Sequence, residues 1–399
     1  MKVAVMGYGT IGSGVVEVLE VNRDVIAKRV GEALDVKSVL DLREFKGEPI
    51  EEKIVHDYKV IAEDPEITIV VETMGGVEPA YTFVKAMLEH GKHVTTSNKA
   101  LVADKGAELI RIARENNVNF LFGASVGGGI PIIRTIRSAL TGDVIEKITG
   151  IVNGTTNYML TKMAEEGSEF DDVLKEAQEK GYAEKDPTAD IEGYDACRKI
   201  AILTSLIAGR QVDYEDIPTE GISKITAADI KYAKKMGRAI KLLAVSIREE
   251  ETFACRVAPF LVAPEDPLYS TNGVYNAVLV HGNMLGDGMF YGSGAGKLPT
   301  ASAVVGDIVE MARHAKENVF FEWEEEKLTL ADEGKQSYRY FLRTEKSEDE
   351  IANIFDTVDF IDAGIDGEVG FVTGVLMEQE LKQKEASLGE VLQTIRLVG

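Results

Sequence analysis

The segment KVAVMGYGTIGSGVVEVL, Lys2–Leu19, decides the fold of the first third of the chain. An apolar strand, Lys2–Met6, is followed by Gly7, Gly9 and Gly12 in the G-x-G-x-x-G spacing, and an apolar helical pattern comes next. In such a turn the first glycine bends the chain, the second lets a pyrophosphate approach the backbone, and the third allows close packing of helix on strand. The helix N-terminus attracts the negative phosphates. The segment therefore predicts a dinucleotide site.

Strand and helix patterns alternate through the rest of the N-terminal part. The predicted strands are Asp35–Leu40, Ile67–Glu72 and the segments KHVTTSN and VNFLFG, and the predicted helices are about Glu78–Glu89 and Lys99–Asn116. Strands that alternate with helices indicate βαβ units, because a parallel strand pair needs a crossover connection. The sequence therefore predicts an α/β fold with a Rossmann-type parallel sheet.

The pattern changes after Ile130. Helices and alternating strands there predict an α+β region with an open mixed sheet, and the C-terminal residues read strand–helix–strand–strand–helix–strand. That order is typical of a ferredoxin-like βαββαβ module. We therefore expect a dinucleotide-binding domain (1–130 plus about 299–320), an α+β domain (131–298), a linker (321–336) and a ferredoxin-like domain (337–399).

The composition excludes several classes of function. The 399 residues carry a formal net charge of −23, which makes nucleic acid an improbable partner because phosphate contacts require a basic face. Two cysteines and five histidines, with no HExxH pattern, argue against a disulfide framework and a catalytic metal. Neither a run of 18 apolar residues nor a secretory leader pattern is present, so we expect no membrane partner and a cytoplasmic location.

Two residues after the second strand bear on the choice of dinucleotide. Asp41 ends that strand and is the acidic residue expected to bond a ribose 2′-hydroxyl, which favours NAD. Arg43 lies two residues later and suits a 2′-phosphate, which favours NADP. The sequence leaves both cofactors open.

Two lysines are the candidates for proton transfer. Lys99 follows the strand KHVTTSN at the start of a helix, where a cation is electrostatically unfavourable unless it has a partner or substrate. Lys199 lies four residues after Asp195 on an apolar helix, so the two side chains share one face. A surface ion pair is the simpler interpretation, but the apolar surroundings predict burial, and buried ions are paired or functional. Asp190 suits the N-cap of that helix, a role compatible with ligand binding.

Several motifs together resemble the homoserine dehydrogenase family over about residues 1–315. They are GYGTIGSGV, ETMGG, TTSNKAL, ASVGGGIPI, VNGTTNYML, GYAEKDPTADIEGYDACRKIAIL and GSGAGKLPTASAVVGD, in the order and spacing of the family. The resemblance implies NAD(P)-dependent interconversion of L-homoserine and L-aspartate 4-semialdehyde, on the pathway to threonine, isoleucine and methionine. It also implies a homodimer, with residues 131–298 as the substrate-binding and dimerisation domain.

The resemblance also implies roles for individual residues. The expected catalytic residues are Lys199 and Lys99. The expected substrate-binding residues are Glu184, Asp190, Asp195, Tyr182, Gly154 and Thr155. The expected cofactor-binding residues are Gly7, Gly9, Thr10, Ile11, Gly12, Asp41, Arg43, Thr73, Lys99 and Gly292. A monovalent cation, usually sodium, is expected on the main-chain carbonyls of Gly123, Val126, Gly128 and Ile130, although the family commonly has Glu where this chain has Gly123.

The C-terminal module, about Tyr338–Val398, resembles an ACT domain. Such domains usually carry a glycine-containing turn after the first strand, where this chain reads RTEKSEDEIANI. The module is therefore expected either to bind an amino-acid effector or to serve only in dimerisation. Two alternatives to the main hypothesis are a non-catalytic regulator that senses the dinucleotide and a dehydrogenase of another aspartate-like amino acid.

Overall fold

A computed structural model describes residues 1–398, which form two compact units. Unit 1 comprises Met1–Val144, Ala201–Tyr214 and Gly292–Leu328. Unit 2 comprises Ile145–Ile200, Glu215–Tyr291 and the C-terminal residues from Thr329.

The helices and strands follow one another in three stretches. The first contains β1 (Lys2–Met6), α1 (Thr10–Val21), α2 (Arg23–Val30), β2 (Asp35–Leu40), β3 (Ile54–Val55), α3 (Tyr58–Ala62), β4 (Ile67–Glu72), α4 (Ala80–Glu89), β5 (His93–Thr96), α5 (Lys99–Glu115), β6 (Phe120–Leu121) and α6 (Ile132–Arg134). The second contains β7 (Ile145–Ile151), α7 (Gly154–Glu166), α8 (Phe170–Glu179), α9 (Thr188–Ile191), α10 (Tyr194–Ala208), β8 (Arg210–Gln211), α11 (Ala227–Lys235), β9 (Ala239–Glu249), β10 (Thr252–Val262), β11 (Tyr275–Gly282), β12 (Gly286–Ser293), α12 (Lys297–Arg313) and β13 (Glu324–Lys327). The third contains β14 (Ser337–Tyr338), β15 (Tyr340–Thr344), α13 (Glu348–Ala352), β16 (Val358–Ile361), β17 (Val369–Thr373), β18 (Leu376–Met377), α14 (Glu378–Leu388) and β19 (Gln393–Val398).

Unit 1 is built on a parallel six-stranded sheet. Its strand order is β3-β2-β1-β4-β5-β6, and each neighbouring pair runs in parallel. The central strands β1 and β4 have buried apolar runs at 3–6 and 69–71, as expected for strands that are covered on both faces. This order has a switch point between β1 and β4, where the chain reverses its direction of growth and where dinucleotides bind in such sheets.

Unit 2 is built on a mixed nine-stranded sheet. Its strand order is β12-β11-β7-β9-β10-β19-β15-β17-β16. The long hairpin of β9 and β10 pairs from Ala239 opposite Val262 to Glu249 opposite Thr252. Apolar residues of β7, β9, β10 and β11 form one core cluster, among them Ile151, Leu243 and Phe260.

The C-terminal residues continue this sheet. Their order β15-α13-β16-β17-α14-β19 is the βαββαβ pattern that the sequence predicts, and β19, β15, β17 and β16 lie side by side. The last strand, β19, pairs in parallel with β10, with Phe260 opposite Arg396. Tyr340, Phe355 and Phe371 belong to a second core cluster beneath these strands.

The predicted fold class is confirmed, because unit 1 has the parallel Rossmann-type sheet and unit 2 the separate mixed sheet. Within the stretch 321–336, expected as a linker, β13 pairs in parallel with β8, and Trp323 is buried. The Trp323 indole N–H donates to Gln211 Oε1 at 3.0 Å. This stretch is therefore packed on unit 1 as far as Leu328, where unit 1 ends.

Candidate functional site

The glycine turn after β1 has the geometry of a phosphate-binding turn. Gly7 has a φ of +96°, in the region that favours glycine. A β-carbon on Gly12 would lie 1.9 Å from the Gly7 carbonyl oxygen, so only glycine fits there. The Thr73 hydroxyl donates to the same carbonyl at 2.9 Å and ties the end of β4 to the turn. Thr10 and Ile11 begin α1, whose N-terminus therefore faces this turn.

Asp41 and Arg43 form a pair beside the turn. The Asp41 carboxylate accepts hydrogen bonds from the Tyr8 N–H at 2.8 Å and from the Arg43 Nη2 at 2.9 Å. The hydrogen bond from Arg43 holds the pKa of Asp41 well below its ordinary value. The Arg43 side chain is 61% exposed, whereas that of Asp41 is 10% exposed. The pair therefore presents its guanidinium, more than its carboxylate, to a ligand.

A cavity of about 550 Å³ opens at the carboxyl ends of β1, β2 and β4. Tyr58 and Phe83 stack at 4.4 Å between ring centroids and form part of its apolar wall. This is the place where open α/β sheets bind dinucleotides. The lining residues are Gly7, Gly9, Leu40, Asp41, Leu42, Arg43, His56, Asp57, Tyr58, Thr73, Met74, Pro79 and Phe83.

Glu72 is a buried residue of unit 1 that the sequence analysis did not select. Its carboxylate accepts from the Met74 N–H at 2.6 Å and from the Thr96 hydroxyl at 2.5 Å. The Thr96 oxygen accepts from the Asn98 N–H, and the Asn98 side chain caps α5, which begins at Lys99. Burial raises the pKa of Glu72. The sequence signal that could have identified Glu72 is an acidic residue at the end of the strand ITIVVE.

In unit 2 Lys199 is held by an acid and a carbonyl. Its ammonium donates to Asp195 Oδ2 at 2.6 Å and to the Val152 carbonyl at 2.6 Å. Lys199 and Asp195 are both buried. The predicted i, i+4 pair on a buried helix face is therefore present, and the interpretation as a surface ion pair is wrong.

Asn153, which the sequence analysis missed, joins the second acid to this cluster. Its Nδ2 donates to Asp190 Oδ1 at 2.7 Å and to Asp195 Oδ2 at 2.9 Å, while its Oδ1 caps α7 by accepting from the Thr156 N–H. Asp190 belongs to α9 and lies four residues before α10 begins at Tyr194, so its interpretation as the N-cap of that helix is wrong. Asn153 thus links the carboxylate that pairs with Lys199 to a second carboxylate. We call Lys199, Asp195, Asp190 and Asn153 the lysine–acid cluster.

The other predicted substrate residues lie around the start of α7. The Thr155 hydroxyl donates to the Tyr182 carbonyl at 2.7 Å, which joins the segment GYAE to the first turn of α7. Gly154 is the first residue of that helix. Glu184 is exposed, and its main-chain carbonyl accepts from Gln178 Nε2 at 3.1 Å. The structure thus brings Gly154, Thr155 and Tyr182 together, whereas it ties Glu184 to α8 through its backbone.

The segment expected to hold a cation lies in unit 1. Its backbone between Gly123 and Ile130 is largely buried and lies outside the helices and strands, and the Ile130 carbonyl accepts from the Ile132 N–H. The Gly123 N–H donates to Asp307 Oδ2, and a β-carbon on Gly123 would lie 2.7 Å from Asp307 Oδ1. The Asp307 carboxylate therefore occupies the space that a side chain at position 123 would need. A β-carbon on Gly292 would lie 3.3 Å from the Ile130 side chain.

The two sets of residues define a class of protein. A Rossmann-type sheet with a phosphate-binding turn and a buried lysine–acid cluster in the second unit are the parts of a dehydrogenase that uses a nicotinamide dinucleotide. No group of three or more metal-binding side chains occurs among residues 1–398, and no helix in that range is long and apolar enough to cross a membrane.

Comparisons with known proteins identify the family. The family model "Homoserine dehydrogenase, NAD binding domain" matches residues 7–123, and "Homoserine dehydrogenase" matches residues 131–309. A homoserine dehydrogenase of Synechocystis is 46% identical over 318 residues, which cover 78% of this chain and 73% of the relative. The crystal structure of a homoserine dehydrogenase from Thiobacillus denitrificans superposes with a TM-score of 0.92 at 36% identity, covering 100% of this chain and 98% of that one.

The chain belongs to the homoserine dehydrogenase family. A hyperthermophilic archaeal homoserine dehydrogenase solved in complex with NADPH is also similar, with a TM-score of 0.67 and 28% identity over 80% of this chain and 100% of that one. The dinucleotide-binding domain of this chain therefore takes a nicotinamide dinucleotide, as its sequence predicts.

Proposed function

We propose that the chain interconverts L-homoserine and L-aspartate 4-semialdehyde with NAD(P), and that Lys199 exchanges the proton of the substrate oxygen. The observation that carries this proposal is the buried ammonium of Lys199, 2.6 Å from Asp195 Oδ2. A buried lysine held by an acid at a fixed position meets the geometric requirement for a general acid or base.

The side chains of unit 2 act on the two ends of the substrate. Asp190 and Asp195 present carboxylates that suit the ammonium of a zwitterionic substrate. Asn153 keeps the two acids in place, and the exposed Glu184 adds negative charge at the entrance. Tyr182, Gly154 and Thr155 form the wall beside the substrate.

The reaction needs a hydride and a proton. The bound dinucleotide supplies or accepts the hydride. In the reductive direction Lys199 donates a hydrogen bond to the aldehyde oxygen and then its proton, and in the oxidative direction it takes that proton back. Lys99, at the start of α5, is proposed as the second cation beside the reacting oxygen. The Glu72–Thr96–Asn98 bonds hold the start of that helix in position.

An absorbance assay at 340 nm tests the activity. The purified chain should oxidise NADPH or NADH when aspartate semialdehyde is added. Turnover of another aspartate-like amino acid instead would favour the second dehydrogenase hypothesis. Binding of NADPH without turnover of either substrate would favour the non-catalytic regulator.

We propose a preference for NADP over NAD. The support is the exposed guanidinium of Arg43 beside the cofactor cavity, since its Asp41 partner already accepts four hydrogen bonds from the protein. Replacement of Arg43 by alanine should raise the KM for NADPH by about 10-fold, the loss of a charged hydrogen bond, and leave the KM for NADH within about twofold. An equal rise for both cofactors would contradict the preference.

The remaining features stay predictions. A monovalent cation on the carbonyls of Gly123, Val126, Gly128 and Ile130 is supported by the buried irregular backbone of that segment, whose carbonyl oxygens need partners. Comparison of the rate in sodium, potassium and tetramethylammonium salts tests it. An amino-acid effector at the βαββαβ module is tested by adding threonine to the same assay. The cytoplasmic location and the homodimer are predictions from the sequence alone.

A further inference from the structure

Asn276, at the start of β11, has a buried side chain whose polar atoms lack partners. Among the described residues neither its Nδ2 nor its Oδ1 finds a hydrogen-bond partner, and the residue is 1% exposed. A buried carboxamide without partners is destabilising, because the group has lost its bonds to water. Such a group takes its hydrogen bonds from outside the chain, from a buried water or from a ligand.

The Asn276 carboxamide lies near the first residue of α7. A β-carbon on Gly154, the first residue of that helix, would lie 3.7 Å from Asn276 Oδ1. The first N–H groups of a helix have no intrahelical partner and attract negative charge. The unpartnered amide and the helix N-terminus are therefore two separate features that face the same place.

The pairing of β11 with β7 sets Asn276 close to the lysine–acid cluster. Ala277 lies opposite Ile151, so Asn276 follows opposite Val152, the residue whose carbonyl accepts from the Lys199 ammonium. The next residue along β7 is Asn153 of the same cluster. Acids, an ammonium and an unused carboxamide thus meet at one end of this strand pair.

The loop that precedes Asn276 is held by hydrogen bonds from two buried side chains, those of Asn157 and Lys241. Asn157 Nδ2 donates to the carbonyls of Thr271, Gly273 and Tyr275, and the Lys241 ammonium donates to Asn157 Oδ1 and to the Thr271 carbonyl. These bonds fix the chain as far as the residue that precedes Asn276. The carboxamide therefore has a set position before any ligand arrives, as a built site requires.

We propose that Asn276 is a further substrate-binding residue, whose carboxamide recognises the zwitterionic end of an α-amino acid. Its Nδ2 donates to the substrate carboxylate, and its Oδ1 accepts from the substrate ammonium. This assignment rests on the proposed function, because it takes homoserine as the ligand. It accounts for both unpaired atoms of the side chain with one ligand.

The test replaces Asn276 by leucine, which has nearly the same shape and no polar atoms. The KM for homoserine should rise about 10- to 100-fold, the loss expected for hydrogen bonds to charged groups, while the KM for the dinucleotide stays within about twofold. The melting temperature should not fall, because the variant removes an unpaired buried group. N276D keeps the shape and the acceptor and should also raise the KM, and it serves if N276L does not fold.

Thr149→Val is the matched control. The Thr149 hydroxyl is also buried and has no partner among the described residues, but it lies on β7 two residues from Ile151 and thus on the opposite face of the sheet from Asn276. T149V should leave the KM for homoserine unchanged. An unchanged KM for homoserine in both N276L and N276D would overturn the assignment.

Calorimetry separates this proposal from the proposed function. Wild type and N276L are titrated with homoserine in the presence of the dinucleotide. If wild type binds and oxidises homoserine and N276L does so equally well, only the role of Asn276 fails. If wild type neither binds nor oxidises homoserine, the proposed function fails, and with it the identity of the ligand.

Discussion

Unit 2 contains two buried lysines with opposite surroundings. Lys199 is 8% exposed and donates to the carboxylate of Asp195, within a cluster that holds a second acid. Lys241, on β9, is 2% exposed, and its acceptors among residues 1–398 are the neutral oxygens of Asn157, Thr271 and Asn272. Burial lowers the pKa of Lys241 to about 8. Burial is thus common to both lysines, and the charge of their neighbours distinguishes them.

The charge of the neighbouring groups distinguishes a lysine in a candidate reactive site from a lysine that holds a loop in place. Neutral acceptors favour a lysine that fixes a loop, since three carbonyl-type oxygens fill the three donor positions of its ammonium. A carboxylate partner within a group of acids, by contrast, is the arrangement that also suits a cationic ligand. A count of charges around a buried ammonium is therefore more informative about function than its exposure.

The largest expected effect comes from removing the ammonium of the lysine–acid cluster. Lys199→Met should lower kcat about 10³-fold, because the proton donor is lost and the buried Asp195 loses its ion-pair partner. Steady-state kinetics at saturating homoserine measures it. K235M, which alters an exposed lysine of α11, is the matched control and should keep the wild-type kcat. A kcat of K199M within tenfold of wild type would remove Lys199 from its proposed role.

A smaller effect is expected when only the charge of an acid is removed. Asp195→Asn retains the shape of the side chain but deprives Lys199 of its carboxylate, so kcat/KM for homoserine should fall about 10²-fold. D186N, at an exposed aspartate of the same segment, should change it less than twofold. Equal losses in D195N and D186N would contradict the distinction between the cluster and the solvated acids beside it.

The smallest expected effect is a pH-dependent one at the other lysine. The pKa of Lys241 is about 8 in the folded chain and about 10.4 in an unfolded one, so the unfolded state binds more protons between these values. Stability therefore rises with pH in this window, by about 2 kcal/mol between pH 8 and pH 10. Urea unfolding of wild type and K241M at both pH values measures the free energy of unfolding. The difference between the two proteins should show this rise, and a constant difference would refute it.

The sequence predicted the parts of the site that local spacing defines. The glycine spacing at Gly7–Gly12 identified the turn, and the four-residue separation of Asp195 and Lys199 on an apolar helix identified their contact. The resemblance to a known family added the residues around Gly154. These features need only neighbouring residues or one known motif.

The amides and the buried lysine could not be predicted in the same way. Asn153, Asn157 and Lys241 act through partners up to 114 residues away, as between Asn157 and Thr271, and no short pattern marks such contacts or the position of Asn276. The parallel pairing of β10 with β19 could not be predicted from a short pattern either, because its two strands are far apart in sequence. Their identification required the tertiary structure.

The pairing of β10 with β19 has a consequence for how such chains diversify. A sheet edge accepts a new strand through main-chain groups, which every sequence possesses, so the join requires little of the incoming side chains. At this join, however, Arg396 of β19 also donates to the buried Glu378 of α14 and to Glu220 at 3.0 Å. The main-chain pairing therefore requires little of the sequence of a C-terminal module, whereas the buried Arg396–Glu378 ion pair depends on two specific side chains.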